Sequence, residues 1–295
     1  MKKQTISELA LIVITIIWGL GFPITKLATR AGFGPNTIMV GRFLTATILL
    51  GAIYFRRLKT INKQYIIFGT ITGIFLFFGF YFQTLGNVYT TASKNGFITQ
   101  LNIVLVPYLY FVFFKKKVDI YNIISVVIAI IGMLILTYKR DEFSGFNIGD
   151  FYTLLCAVMV AFNVVTASYY QKKFNFDPAV FIFMNIFVSC IMSVIFMLFT
   201  ESIPKVGILD FWPLLFMGVL NTALGFLVQG YALKYSLPTR VSLIVTLESV
   251  FAAIGSWLIV GEILTSTIIL GGLLIVGAVL LSEIKPFLKR EKKLV

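Results

Sequence analysis

Long apolar runs separated by short polar connections divide the sequence into ten segments. A helix rises about 1.5 Å per residue, so runs of roughly 20 residues match the hydrocarbon core of a bilayer. The pattern therefore predicts an all-α integral membrane protein with ten transmembrane helices. The predicted spans are residues 6–29, 36–56, 64–88, 91–114, 119–139, 149–171, 178–200, 211–233, 238–260 and 265–283. The connections are too short to fold by themselves, so no soluble catalytic domain is expected.

Basic residues predict the orientation of these spans. Of the 25 lysines and arginines, 18 fall on the side of the N-terminus and 6 on the opposite side, with Arg42 inside a span. Because cytoplasmic loops carry the excess of basic residues, we expect a multi-pass protein of the plasma (inner) membrane with both termini in the cytoplasm. The net charge of +13 is then a consequence of membrane orientation and of contact with anionic lipid, and no nucleic-acid partner is expected.

Composition argues against several other classes. The chain is 59% hydrophobic and 13% charged, with a mean hydropathy of +0.95. It has no histidine, and its two cysteines, Cys156 and Cys190, lie in apolar runs. We therefore expect no disulfide framework, no cysteine-based metal site and no cofactor. The sequence has no Walker-type phosphate loop, which argues against ATP-driven transport by this chain alone.

The sequence also repeats itself. A shift of 146 positions places the motif Gly-Phe-x-x-Gln at 79–83 on the same motif at 225–229, and 7 of 29 aligned positions are identical. Each half holds five spans, an odd number, so the second half must be inserted upside down relative to the first. We therefore predict two inverted repeats, residues 1–140 and residues 141–295, the second ending in a basic cytoplasmic tail. This arrangement is typical of transporters with a midplane site between the halves.

Short motifs in a familiar order accompany the repeat. They are Trp18-Gly19-x-Gly21-Phe22 followed by Lys26, Gly41-Arg42-Phe43, Gly261-Glu262, and Gly271-Gly272 with Gly277. Together with the ten spans they resemble the drug/metabolite transporter superfamily, in its EamA-type branch. One departure is that the first half has three lysines, at 115–117, where the second half has Gly-Glu. The resemblance implies export or exchange of amino acids and related small metabolites, driven by ion gradients or running downhill, and does not supply this chain's substrate.

Two polar residues at matched depth are the central site candidates. Glu248 lies near the middle of the ninth span, and the repeat aligns it with Asn102 of the fourth span. An acid at that depth costs roughly 2.5–3.5 kcal/mol on insertion scales, so it is expected to face protein or water and to be functional. Glu248 is a candidate to bind a substrate ammonium or to carry a coupling proton. Asn102 either lines the same cavity or forms a hydrogen bond between helices.

Trp18 and Arg42 are the next candidates. Trp18 is at mid-depth in the first span and offers a cation–π face for an amine, with plain helix packing as the alternative. Arg42 suits bidentate contact with a substrate carboxylate, although a structural pair or snorkelling to the interface explains it equally simply. Pro23, close to Trp18, and Pro107, close to Asn102, each remove a backbone hydrogen bond, so we expect the first and fourth spans to kink or open there.

Amides complete the candidate list. The repeat places Gln83 and Gln229 toward opposite mouths of the predicted pathway, which suggests gate contacts or else packing hydrogen bonds. Asn163 is a further substrate-binding candidate of the same kind, and Asn185 and Asn221 are weaker ones.

Two other classes of function remain open, a membrane-embedded receptor or scaffold and an intramembrane enzyme without transport activity. An enzyme needs a catalytic set at membrane depth, and the chain has no histidine and no Gly-x-Ser-x-Gly. A receptor does not require matched polar residues in two inverted halves. The expectation is a secondary transporter without enzymatic activity, as a monomer or homodimer. Its expected partners are a small-molecule metabolite, membrane lipid and, if Glu248 is the coupling acid, a proton.

Overall fold

The computed structural model describes residues 2–115, 118–138, 146–202, 207–236 and 238–291, and within these ranges the protein is helical without a strand. The helices are α1 (Lys2–Arg30), α2 (Pro35–Leu58), α3 (Lys63–Tyr89), α4 (Ala92–Thr99), α5 (Leu101–Phe114), α6 (Ile120–Thr137), α7 (Ile148–Phe174), α8 (Pro178–Thr200), α9 (Trp212–Phe216), α10 (Gly225–Tyr235), α11 (Pro238–Val260) and α12 (Ser266–Glu291).

Nine segments of the described chain are long and apolar enough to cross a membrane, and α12 has a shorter apolar stretch, Ser266–Ser282. This confirms the predicted all-helical membrane fold. Lys116, Lys117 and residues 292–295 of the predicted basic tail lie outside the described residues.

Two spans are not the single continuous helices that the sequence predicted. The fourth span is divided at Gln100 into α4 and α5, with the Gln100 N–H donating to the carbonyl of Phe97 (3.2 Å). The eighth span contains a π-helix, Met217–Leu224, between α9 and α10. Here the Thr222 hydroxyl donates to the Met217 carbonyl five residues earlier (2.8 Å). Both breaks lie away from the expected points, since α1 runs on through Pro23 and α5 through Pro107.

Equivalent helices of the two halves pair in opposite directions. At one end of the α6–α12 pair Gly132 packs against Gly271, and at the other end the Asn122 side chain donates to the Ser282 carbonyl (3.4 Å). The start of α6 thus meets the end of α12. The helices α2 and α8 are antiparallel in the same way, because Asn36 Nδ2 donates to Thr200 Oγ1 (2.8 Å). Antiparallel pairing of equivalent helices is what an inverted repeat requires.

The close packing follows the same symmetry. Gly79 of α3 packs against Val160 of α7, and its repeat partner Gly225 packs against Trp18 of α1. A Cβ at either glycine would overlap the facing side chain, so a larger residue would separate the helices. These two contacts set a shift of 142 between α1 and α7, and they hold α3 and α10 against the first helix of the opposite half.

Hydroxyl–carboxylate contacts at opposite ends of the bundle also match. Thr90 Oγ1 donates to Asp150 Oδ1 (2.7 Å), and Ser236 Oγ donates to Glu8 Oε1 (2.8 Å). The shifts of 146 and 142 relate Thr90 to Ser236 and Glu8 to Asp150. The repeat therefore extends from the backbone path to individual polar contacts.

Candidate functional site

A small polar cavity lies where α1, α2, α3 and the π-helix meet. Its wall includes Trp18, Arg42, Gln83, Asn87 and Asn221, and its volume is about 20 Å³. That volume holds roughly one water molecule. The cavity brings together three of the predicted site residues, Trp18, Arg42 and Gln83, and it must widen before it can admit a metabolite.

Arg42 reaches from α2 across the boundary between the halves. Its Nε donates to Thr222 Oγ1 (2.6 Å) and its Nη2 to Asn221 Oδ1 (2.7 Å). The guanidinium Cζ also lies 4.0 Å from the centroid of the Phe80 ring. The side chain is only 8% exposed, so it does not snorkel to the membrane surface. Two hydrogen bonds and a ring thus fix the orientation of the guanidinium, while Nη1 has no hydrogen bond within the described ranges.

Asn221 connects this arginine to Trp18. Its carbonyl accepts a hydrogen bond from Trp18 Nε1 (2.6 Å), its Oδ1 accepts from Arg42, and its Nδ2 donates to the Ile17 carbonyl (3.0 Å). The N–H of Gly225, four residues after Asn221, donates to the carbonyls of Leu220 and Thr222 instead, and the Asn221 carbonyl accepts from the indole. The sequence ranked Asn221 only as a weaker candidate, because nothing in a single sequence signals a π-helix.

Glu248 of α11 is partly buried and faces the break in the fourth span. Gln100 Nε2 lies 3.5 Å from Glu248 Oε2, at the outer limit of a hydrogen bond. Gln100 is 2% exposed, and its Oε1 has no hydrogen-bond partner among the described residues. The structure therefore places Gln100 beside Glu248. Asn102, which the repeat aligned with that acid, donates instead to the Thr99 carbonyl (2.8 Å).

Glu248 and Arg42 interact electrostatically. Within the described part of the chain, however, the ion pairs closer than 4.0 Å involve other residues. The two opposite charges therefore face the same region of the protein without direct contact. A further acceptor shares the cavity wall with Arg42, since Asn87 Oδ1 is buried and also lacks a hydrogen-bond partner among the described residues.

The remaining sequence candidates lie elsewhere. Gln229 is partly buried on α10 and is not part of the cavity wall. Asn163 joins three helices, since its Nδ2 donates to the Thr72 carbonyl (2.8 Å) and lies 3.4 Å from Asn185 Oδ1. That geometry is typical of a packing hydrogen bond.

Charged contacts that the sequence did not predict join the halves beyond the cavity, at the predicted outer ends of the helices. Lys94 Nζ and Asp150 Oδ2 form a buried ion pair (2.6 Å). At the same end, but within the first half, Lys26 Nζ donates to the carbonyls of Asn87 (2.6 Å) and Thr90 (2.8 Å), where a cation complements the C-terminal end of α3. In the sequence Lys94 counted only toward the outer side, Lys26 also formed part of a family motif, and Asp150 had no predicted role.

Glu262 makes the most extensive of these contacts. Its carboxylate accepts hydrogen bonds from the Ala92 N–H (2.6 Å), the Ser93 N–H (3.1 Å) and the Ser93 hydroxyl (2.7 Å), and so caps the start of α4. Gly261, at φ +71°, ends α11 in the left-handed conformation and turns the chain so that Glu262 reaches α4. The Gly-Glu motif is thus a helix end followed by a cap on the opposite half.

These features define a class of protein: a helical membrane protein of two inverted repeats, with a small polar cavity whose wall includes residues of both halves. The EamA-like transporter family matches residues 5–138 and again residues 147–283. The chain therefore belongs to the EamA-like transporter family, as the sequence motifs indicated.

Relatives agree with this assignment. A protein of Archaeoglobus fulgidus named as an uncharacterized transporter is 30% identical, covering 96% of this chain and 87% of that protein. The uncharacterized transporter YoaV of Bacillus subtilis is 24% identical, covering 90% and 93%. The WAT1-related protein At5g40210 of Arabidopsis thaliana is 21% identical, covering 85% and 80%. One crystal structure has the same fold, with a TM-score of 0.65 at 15% identity, covering 92% of this chain and 96% of that one.

Proposed function

We propose that this protein is a secondary transporter that moves amino acids or related small zwitterionic metabolites across the plasma membrane, by export or exchange. Transport would proceed by alternating access around the central cavity, with residues 1–140 and 141–295 as the two halves that move. Both termini would lie in the cytoplasm, the chain would act as a monomer or homodimer, and it would have no enzymatic activity.

The observation that carries the proposal is the pair of opposite charges at the boundary between the halves. Arg42 of the first half is oriented by Asn221 and Thr222 of the second, and Glu248 of the second half lies beside Gln100 of the first. A buried charge without an ionic partner is costly unless a ligand completes it. A molecule with a carboxylate and an ammonium group would neutralise both at once.

The hydrogen-bonding groups around the two charges also favour a substrate bound with its carboxylate at Arg42 and its ammonium group at Glu248. On the cationic side, Arg42 Nη1 is available to a carboxylate. On the acidic side, Glu248 is accompanied by the acceptor Gln100 Oε1, and Asn87 Oδ1 is a further acceptor in the cavity wall; neither oxygen has a donor in the described chain. An ammonium group supplies three donors and no acceptor. Trp18 beside them offers the ring face that suits a cation.

The small size of the cavity supports alternating access. At about 20 Å³ it cannot hold an amino acid. Loading and release therefore need the halves to separate, and the charged contacts between them at Lys94, Asp150 and Glu262 are those that an outward opening would break. Glu248 would also carry a coupling proton if it is protonated in one half of the cycle and ionised in the other.

The test is counterflow into proteoliposomes with labelled amino acids, each compared with its amine and its acid. Loss of one charged hydrogen bond costs about 1.5–3 kcal/mol, so either truncated compound should exchange roughly 10- to 100-fold less well than the zwitterion. Equal exchange of all three compounds would contradict the two-charge site. A protein that exchanges none of them, although folded and inserted, would favour the receptor or scaffold alternative.

Glu248→Gln separates the roles of the acid. If Glu248 carries the coupling proton, accumulation driven by a proton gradient should vanish while exchange survives, because exchange needs no net proton movement. If it only binds the ammonium, both activities should fall together. Asp177→Asn, at a half-exposed ion pair with Arg57 (3.5 Å), is the matched control and should keep both. Persistence of both activities in Glu248→Gln would show that the site lies elsewhere.

A further inference from the structure

A second, larger cavity lies between the last turns of α5 and α7, and it shares no residue with the central one. Its volume is about 360 Å³. Six side chains from the two helices line it: Tyr110, Phe114, Ser168, Tyr169, Lys172 and Lys173. Both helices end here, at Phe114 and Phe174, on the side that the basic residues predict to be cytoplasmic.

The cavity is positively charged and contains no carboxylate. Lys172 and Lys173 are exposed on the last turn of α7, and the ion pairs of the described residues involve neither of them. Lys173 Nζ lies 5.4 Å from the ring centroids of both Tyr169 and Phe174, so its ammonium stays beside the aromatic wall. Lys115, which directly follows the wall residue Phe114, ends α5 in the left-handed conformation (φ 56°) and is a third exposed cation. The lysines and aromatic rings of this cavity suit an anionic ligand.

The surface next to the cavity is apolar. On α5, Phe111, Val112 and Phe113 are 48%, 57% and 55% exposed, in a helix that belongs to a membrane span. Residues this exposed within a span face acyl chains. A ligand that extends from the lysines along α5 would therefore meet cations at one end and hydrocarbon-compatible surface at the other, and a phospholipid has both parts in that order. A free anion would use only the first.

From this arrangement we propose that the α5–α7 cavity binds an anionic phospholipid of the cytoplasmic leaflet. Lys172 and Lys173 hold its phosphate, the Tyr110 and Tyr169 rings flank the glycerol region, and one acyl chain lies along Phe111 and its neighbours. Basic recesses between transmembrane helices on the cytoplasmic side suit such headgroups, and interfacial tyrosines sit at the same depth.

The test is a binding titration of the detergent-solubilised full-length protein with phosphatidylglycerol, followed by native mass spectrometry. Lys172→Gln/Lys173→Gln is compared with Lys59→Gln/Lys63→Gln, which removes two exposed lysines of the same predicted side at the α2–α3 connection. Each basic residue near an anionic surface is worth about a fivefold change in affinity. The cavity variant should therefore bind roughly 30-fold more weakly, and the control within about twofold of the wild type.

Three results would overturn the proposal. Equal losses of phosphatidylglycerol affinity in the two variants would mean that basic residues attract the lipid without a specific site. Equal retention of phosphatidylcholine and phosphatidylglycerol would mean that the headgroup charge is not recognised. Displacement of the lipid by millimolar inorganic phosphate, with phosphate binding that survives in neutral micelles, would identify a free-anion site. None of these readouts requires transport, so they are independent of the proposed function.

Discussion

Removing one partner of the buried ion pair between the halves tests how firmly the predicted outer end of the bundle is closed. In Lys94→Gln the Asp150 carboxylate, which has no exposed surface, keeps the hydrogen bond from Thr90 but loses its counterion at 2.6 Å. Removing one partner of a buried pair typically costs about 3–5 kcal/mol, because the other charge remains buried without compensation. We therefore expect Lys94→Gln to be among the most destabilising polar substitutions in the chain.

The protein offers a matched control at its opposite end. Arg57 and Asp177 also join the two halves, at 3.5 Å, but their side chains are 59% and 37% exposed. Exposed ion pairs contribute about 0.2–1 kcal/mol, so Arg57→Gln should lose less than about 1 kcal/mol. The two variants remove one charge each from inter-half contacts and differ mainly in burial.

The assay is equilibrium unfolding in a fixed detergent. Lys94→Gln, Asp150→Asn and the double variant Lys94→Gln/Asp150→Asn are compared with the wild type in a double-mutant cycle. The double variant should recover most of the loss, since it removes the uncompensated charge and leaves an amide that still accepts from Thr90. A loss below about 1 kcal/mol in Lys94→Gln would mean that water reaches Asp150. The outer end would then be open in solution, and the reasoning from burial would be refuted.

Two further predictions concern topology and the arginine site. Ala31→Cys should react with an impermeant thiol reagent added to intact cells, and Lys59→Cys should not. Both positions are exposed and the native cysteines are buried. The reverse pattern would therefore overturn the predicted orientation. Thr222→Val removes the acceptor of Arg42 Nε while keeping the shape of the side chain, and should cost about 1.5–3 kcal/mol in unfolding measurements and weaken substrate exchange. Wild-type stability in that variant would show that water replaces the hydroxyl.

The spans could be predicted from the sequence because burial in lipid imposes a long apolar run on each of them. The prediction of α8 agrees with the structure, since Pro178 and Thr200 are both its predicted and its observed limits. The breaks at Gln100 and in the π-helix could not be predicted in this way. Each is in contact with side chains of the opposite half, which are not neighbours in sequence.

Some residues of the candidate site could be predicted from the sequence, because polar and charged side chains are unusual at membrane depth. Unusual chemistry at membrane depth identified Trp18, Arg42 and Glu248 without knowledge of their partners. The pairing of Asn102 with Glu248 assumed that the fourth and ninth spans are equally regular helices, whereas the break at Gln100 changes which residue faces the acid. Contacts between residues that are distant in sequence could not be predicted, such as the ion pair of Lys94 and Asp150, which are 56 residues apart.

The repeat relates the proposed lipid site to the proposed transport cycle. The shifts of 146 and 142 relate Phe114 to Val260 and Lys172 to Arg30, so the predicted inner end of the α5–α7 interface is equivalent to the predicted outer end of the α1–α11 interface. In the structure the outer end is joined by Arg30 Nη1 donating to the Val260 carbonyl (3.3 Å), whereas the inner end encloses about 360 Å³.

Alternating access in an inverted repeat exchanges the conformations of the two halves. The inner end should therefore close when the outer end opens. A lipid that binds only the open inner end has different affinities for the two states, and such a ligand must shift the equilibrium between them. Anionic lipid should then slow outward opening in the wild type and have no such effect in Lys172→Gln/Lys173→Gln. Equal lipid dependence of exchange in both proteins would separate the lipid site from the cycle.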